Sequence, residues 1–323
     1  MSKTIFFTRR IPEVAQKMLE EKGYQVKVNS GANIPSKSEI IELLKQEPFD
    51  AVVTLLTDKI DAEIFDVSPS TKIFANYASG YDNIDVSAAL GRGVVITNAP
   101  ADATSEAVAE HTLALILGLA ARIVESDESI RRGKYKGWDP MNFIGFDIRG
   151  KTLGLIGAGR IGERVGRQAK AFGMDIIYFD REENNLLNSL GGKLCESVEM
   201  LLSEADVVSL HVPLTDSTRH LINSERIKLM KQSSILVNTS RGPVVSEAAL
   251  EEALKAGTIA GAGLDVFEFE PEVSPGLVAL QSVILTPHIA SASREAREEM
   301  AVVLANNIID FFEGRSPRNQ VVK

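Results

Sequence analysis

The sequence predicts an α/β protein with two doubly wound parallel-sheet domains. Short apolar runs alternate with amphipathic helical stretches, the pattern of strands covered by helices on both faces. The pattern runs through the first hundred residues and restarts near residue 152. At 323 residues the chain is long enough for two such domains.

In the first domain, residues 3–8 (KTIFFT), 24–28, 50–56, 72–76 and 93–98 read as strands, with helices over 11–23 and 36–46. The second pattern opens with a strand over 152–157 and a helix over 160–173. Strands over 174–180, 205–212, 233–238, 258–266 and 282–286 follow, with helices between them. Residues 103–133 read as one long helix bridging the patterns. A last amphipathic helix over 293–315 has no strand after it and is expected to pack back on the first domain. The expected domains are therefore 1–101 with 289–323, and 102–288. Two crossings predict a hinged interdomain cleft, a usual place for a small ligand.

Composition narrows the function. Hydrophobic residues at 44% and charged residues at 24% are ordinary for a soluble globular protein. A formal net charge of −9 argues against nucleic-acid and anionic-membrane partners, which need a basic patch. A small anionic substrate is compatible, because one held Arg sets a local field. Cys195 is the single cysteine, so no intrachain disulfide or cysteine metal cluster is expected. No two histidines stand at i, i+4 spacing beside a carboxylate, and no metal site is expected. The N-terminal residues lack a signal-peptide pattern. The most apolar stretch, residues 112–120, is too short to span a bilayer. A cytoplasmic location is expected.

GAGRIG, residues 157–162, matches G-x-G-x-x-G. A strand precedes it, a helix begins at Arg160, and the next strand ends in Asp180, 21 residues beyond Gly159. Together these make the dinucleotide fingerprint. Gly157 permits the tight turn, Gly159 lets a pyrophosphate approach the helix N-terminus, and Gly162 lets the helix lie close. Asp180 is positioned to accept from the adenosine ribose hydroxyls and would repel a 2′-phosphate. NAD (NADH) is therefore preferred, with NADP possible because Arg181 follows; Arg181 reads equally well as a solvated strand end.

Ligands of parallel sheets gather at the carboxyl ends of strands. Three such ends deliver Arg241 (in NTSRG), Glu270 (in EFEPE) and His288 (in LTPHIA). Arg can bind a substrate carboxylate and polarise a carbonyl. A protonated His can donate to the carbonyl oxygen, and a neighbouring carboxylate favours that protonated ring. The set suits hydride reduction of a small 2-keto acid, or the reverse oxidation of a 2-hydroxy acid. Each residue taken alone also has a structural reading: an ion pair for Arg241, solvated surface for Glu270. His111 reads as a hydrogen-bonded core residue, His211 as a wall of the cofactor pocket and His220 as surface.

GAGRIG, NTSRGPVV, GAGLDVFEFEP and LTPHIAS, in that order, resemble the four signatures of the D-2-hydroxyacid dehydrogenase family, and the likeness spans the chain. Within the family, TRRIPEVAQKMLEE and ANYASGYDNID are most similar to glyoxylate and hydroxypyruvate reductases. The resemblance implies a Rossmann-type coenzyme domain and a flavodoxin-like substrate domain. It implies Arg241, Glu270 and His288 as the catalytic trio. It implies backbone amides at Ala78, Ser79 and Gly80 around the substrate carboxylate, and Leu56 over the substrate. By the same carry-over, Thr104, Arg160 and Ile161 meet the pyrophosphate region, Val212 and Pro213 flank the adenine, and Thr239 and Asp265 contact the nicotinamide side. It also implies a homodimer, with an arm near residues 133–147 in which Trp138 either reaches a partner or anchors local packing. Two alternatives share these motifs: a 3-phosphoglycerate dehydrogenase, and an NAD(H)-sensing binding protein similar to the C-terminal binding protein corepressors.

Overall fold

Ile5 and Phe7 face one side of a sheet and Phe6 the other, and all three are buried. A strand sandwiched between two helical layers needs that continuous apolar run. The computed structural model describes residues 2–31 and 33–322. It divides into two compact units, Met1–Thr104 with Ala292–Lys323, and Ser105–Ser291.

The first unit holds β1 (Thr4–Phe7), β2 (Gln25–Val28), β3 (Ala51–Leu55), β4 (Ile73–Tyr77) and β5 (Val95–Thr97). They form a parallel sheet in the order β2-β1-β3-β4-β5, a flavodoxin-like arrangement. Val52 and Phe74 join Phe6 on one face, against Ile40, Leu44 and Ile64. The other face packs on Leu19 and on the closing helix, Arg294–Phe312, through Met300, Leu304 and Ile308. That helix is capped by Ser293, whose hydroxyl accepts from the Ala296 amide, and Tyr77 Oη donates to Arg297 O at 2.7 Å.

The second unit holds β6 (Thr152–Ile156), β7 (Asp175–Phe179), β8 (Lys193–Leu194), β9 (Val207–Leu210), β10 (Ile235–Asn238), β11 (Gly261–Leu264) and β12 (Val283–Leu285). Their order is β12-β11-β10-β9-β6-β7-β8, all parallel, with the direction of winding reversing between β6 and β9. Leu153, Leu155, Val207 and Val237 pack on Leu113, Ile116 and Val165. Val208, Leu210, Leu236 and Leu264 pack on Leu201, Leu250 and Leu254. The two-residue β8 is too short and too exposed to leave an apolar run in the sequence.

One expectation is corrected. Residues 103–133 are not a single helix: Asp102–Ala120 and Ile123–Arg131 meet at a 65° bend. Arg122 takes a left-handed conformation, φ 55°. The Ala120 carbonyl accepts the Phe146 amide at 3.0 Å instead of continuing the helix. Gly145 lies so close that a Cβ there would stand 2.0 Å from the same oxygen. The returning segment thus takes over the helix end. No single helix among the described residues is long and apolar enough to cross a membrane. Trp138 is 85% exposed, so it anchors no local packing.

Candidate active site

In the second unit, the loop after β6 and the loop after β9 touch at the point where the winding reverses. Gly157 has φ 96°, and a Cβ there would meet His211 O at 2.6 Å. A Cβ on Gly162 would stand 2.0 Å from Gly157 O, so only glycine lets the helix Arg160–Ala171 begin this close to the strand. Gly159 faces open space and gives that helix no side-chain cap, leaving its first amides for an anion. Asp180, one residue past β7, accepts from the Ala158 amide at 2.7 Å and so lies against the glycine loop. Arg160 and Pro213 are exposed, and Ile161 and Val212 are half-buried. These features suit a dinucleotide: an uncapped helix start, an open glycine and a carboxylate at the next strand end.

Arg241, Glu270 and His288 come from the exits of β10, β11 and β12. Asn238 shapes the first exit: its Nδ2 donates to Arg241 O at 2.9 Å and its Oδ1 accepts from the Ser240 amide at 3.0 Å. Arg241 Nη1 donates to Ser240 O at 2.8 Å. A Cβ on Gly242 would fall 1.8 Å from Phe267 O, so the Arg241 turn is seated directly on the segment leading to Glu270. Glu270 Oε1 accepts from the Phe267 amide at 3.0 Å. Its Oε2 lies 2.9 Å from His288 Nδ1, and the two side chains are 34% and 30% exposed, open enough to be reached by a ligand. Burial alone would raise the Glu270 pKa. The hydrogen bond and charge of His288, the Phe267 amide and the charge of Arg241 outweigh it and hold the carboxyl below its ordinary value.

His288 has φ 53°, a left-handed conformation costly for a side chain of this size. Asp265 holds it there. This carboxylate is fully buried. Its Oδ1 accepts from Thr286 Oγ1 at 2.6 Å and the Ile289 amide at 2.8 Å, and its Oδ2 accepts from the Ala290 amide at 2.7 Å. The His288 amide donates to Asp265 O at 2.9 Å. The resemblance puts Asp265 beside the nicotinamide; in the structure its carboxylate is occupied by the chain that carries His288. Thr239 is buried, with its hydroxyl 2.9 Å from that of Thr112.

The holding roles of Asn238, Gly242, Asp265 and Thr286 are not evident in the sequence. The available signal is Asp265 itself, since a carboxylate ending an apolar strand must find donors when buried. Those donors lie 21–25 residues further on.

The other histidines sit apart from the pair. His111 Nε2 is 3.0 Å from Thr286 Oγ1. His220 is exposed and lies 2.6 Å from Glu268. His211 Nε2 is 2.9 Å from Ser209 Oγ, and burial pushes its pKa down to about 3, so this ring is neutral near pH 7. Burial pushes the Cys195 thiol up, making it a poor nucleophile.

In the first unit, Leu56 is half-buried just past β3, and Ala78, Ser79 and Gly80 follow β4. Thr104 is buried with its hydroxyl unpartnered, an arrangement a ligand would complete. A cavity of about 420 Å³ in the second unit lies at the amino ends of β10 and β11, lined by Arg122, Ile144, Phe146, Ile235 and Gly261, and contains none of the trio.

Because the Glu270 pKa is lowered on folding, its ionisation stabilises the native state fully above the ordinary carboxylate value of about 4.3, and that contribution is lost as pH falls through the lowered value. Glu270→Gln should flatten the acid side of a plot of melting temperature against pH. An unchanged acid limb would show that the carboxylate is not held in this way.

Comparison with known proteins places this geometry. Residues 113–290 match the family model described as D-isomer specific 2-hydroxyacid dehydrogenase, NAD binding domain. A glyoxylate reductase of Thermococcus litoralis is 46% identical over 327 aligned residues, covering 100% of this chain and 98% of that protein. The crystal structure of the TT0316 protein of Thermus thermophilus superposes with a TM-score of 0.92 at 42% identity, covering 99% of this chain and 100% of that one. An NADPH-dependent glyoxylate/hydroxypyruvate reductase of Sinorhizobium meliloti, solved with NADP and malonate, gives a TM-score of 0.84 at 31% identity, covering 100% and 97%. The chain belongs to the D-isomer specific 2-hydroxyacid dehydrogenase family, and is an oxidoreductase acting on a hydroxy acid.

Proposed function

We propose that the protein is an NADH-preferring reductase of a short 2-keto acid, glyoxylate or hydroxypyruvate. The observation that carries this reading is the His288–Glu270 pair, 2.9 Å apart, on strand exits next to that of Arg241. The names of the relatives above support the substrate class. The chemistry that bound NADH supplies is a hydride for the keto carbon. Glu270 takes the Nδ1 side of the imidazole and orients the ring, which leaves Nε2 to hold the proton for the keto oxygen. Arg241, fixed by Asn238 and by its seat on Phe267, polarises the keto group and pairs with the carboxylate. Amides at Ala78–Gly80 take up the rest of the carboxylate charge, and Leu56 covers the substrate. Run in reverse, neutral His288 is the base that oxidises the hydroxy acid.

The cofactor is assigned to the helix start at Gly157–Gly162, with Thr104, Val212, Pro213 and Thr239 as further contacts. Asp180 is assigned to the ribose and disfavours a 2′-phosphate; the NADP complex of the Sinorhizobium relative shows that the family also takes that cofactor. We further propose a homodimer. Ile130, Tyr135, Trp138 and Met141 are each more than 60% exposed along one arm, an apolar surface that a second copy would cover.

His288→Asn should lower turnover on glyoxylate by about 10²–10⁴-fold while leaving the NADH dissociation constant unchanged; parallel loss of both would assign the residue to cofactor binding instead. No NADH oxidation by wild type with glyoxylate, hydroxypyruvate or pyruvate would sink the reductase reading. Asp180→Ala should move the kcat/KM ratio toward NADPH, and equal use of the two cofactors by wild type would remove the assigned role. Sedimentation should give twice the 35.1 kDa chain mass, reduced by Trp138→Asp with Met141→Asp; a monomeric wild type at micromolar concentration would refute the dimer.

A further inference from the structure

The loop after β4 has its three carbonyls tied down. Ala78 O accepts the Ala99 amide at 2.8 Å. Ser79 O accepts Asn98 Nδ2 at 2.6 Å, and Gly80 O accepts Asn76 Nδ2 at 3.0 Å. These peptides are trans, so each carries its N–H on the side opposite its C=O. The N–H groups of Ser79, Gly80 and Tyr81 are therefore turned away from those three donors. Among the described residues they donate to no protein acceptor. Consecutive unpaired amides of this kind suit an anion.

We propose that Asn76 and Asn98 are positioning residues for the substrate carboxylate: their side-chain amides aim the cradle formed by the loop. The inference rests on the reading that the backbone amides around Ala78–Gly80 hold that carboxylate. Both residues are themselves fixed. Asn76 is fully buried. Its Oδ1 accepts from Thr54 Oγ1 at 3.0 Å, and its Nδ2 also donates to Asn83 Oδ1 at 3.0 Å. Asn83 Nδ2 donates in turn to Leu55 O at 3.1 Å and Asp58 O at 2.9 Å. The exit of β3, which carries Leu56, is thus built into the same frame as the cradle. Asn98 is braced from the far end of the sequence: its amide donates to Asn319 O at 3.2 Å, and its carbonyl accepts from Asn307 Nδ2 at 3.0 Å. Two neutral donors orient the amides without adding charge, so the loop keeps a purely dipolar attraction for a carboxylate.

The test uses the NADH-bound enzyme with glyoxylate as substrate and oxalate as a non-reacting probe. Asn98→Ala and Asn76→Ala should each raise the KM for glyoxylate and the dissociation constant for oxalate about tenfold. Both should leave kcat within about twofold and NADH affinity unchanged, the split expected when ground-state and transition-state binding are lost equally. In wild-type ¹H–¹⁵N spectra, oxalate should shift the Ser79, Gly80 and Tyr81 amides. If those amides stay still in wild type, the reading of the loop falls and the inference with it. If they shift in wild type but Asn98→Ala keeps the wild-type KM and oxalate affinity, the inference alone is overturned. Loss of kcat and NADH affinity along with KM would also overturn it, as general damage. Asn98 is only half-buried, so its variant decides the matter where Asn76→Ala fails to fold.

Discussion

A carboxylate sealed from water must be matched by donors, and the arrangement around the imidazole depends on how Asp265 meets that demand. It draws in a hydroxyl and two amides from the segment after β12. Its own amide donates to Asn238 O, the residue that shapes the Arg241 turn. One buried residue, through its carboxylate and its backbone amide, therefore joins the exits of β10, β11 and β12. It also holds His288 in a left-handed conformation that costs about 1–2 kcal/mol in isolation. Glu270 reaches the ring from a different segment, so the imidazole is fixed at both its backbone and its Nδ1.

Most of the fold was legible because its signals are local. Runs such as residues 3–8 and 233–238 are apolar on both faces, and only a strand inside a two-sided parallel sheet needs that. The glycine loop was legible for the same reason: strand, turn and helix start lie within a few residues, and the spacing to Asp180 is short. The bend at Arg122 was not, because its cause is Gly145–Phe146 arriving from more than twenty residues away. The proposed trio was legible as polar residues that follow apolar strands. What stayed hidden were the groups that aim them. Nothing beside Asp265 or Gly242 in the sequence announces the partners that make them necessary.

The charge balance follows the same logic. The chain carries a net −9, yet the proposed substrate is an anion. A global field of the wrong sign slows encounter modestly and is screened within about 8 Å at physiological ionic strength. In the proposed reading, attraction at close range would come from Arg241 and from the unpaired amides after β4. Peptide dipoles would then do much of this work, so such a binding surface needs few lysines or arginines.

The first unit is assembled from both ends of the sequence. The face of its sheet bearing Ile5, Phe7 and Val53 is covered by Met300, Leu304 and Ile308. During synthesis on the ribosome, the strands of this unit emerge long before the helix Arg294–Phe312 that shields them. The intervening Ser105–Ser291 unit contains its own core and can finish folding first. The nascent chain therefore carries a partly uncovered apolar sheet face, shielded only around Leu19, while nearly two hundred further residues are made, a period in which further protection must come from chaperones or from transient collapse of the unit on itself.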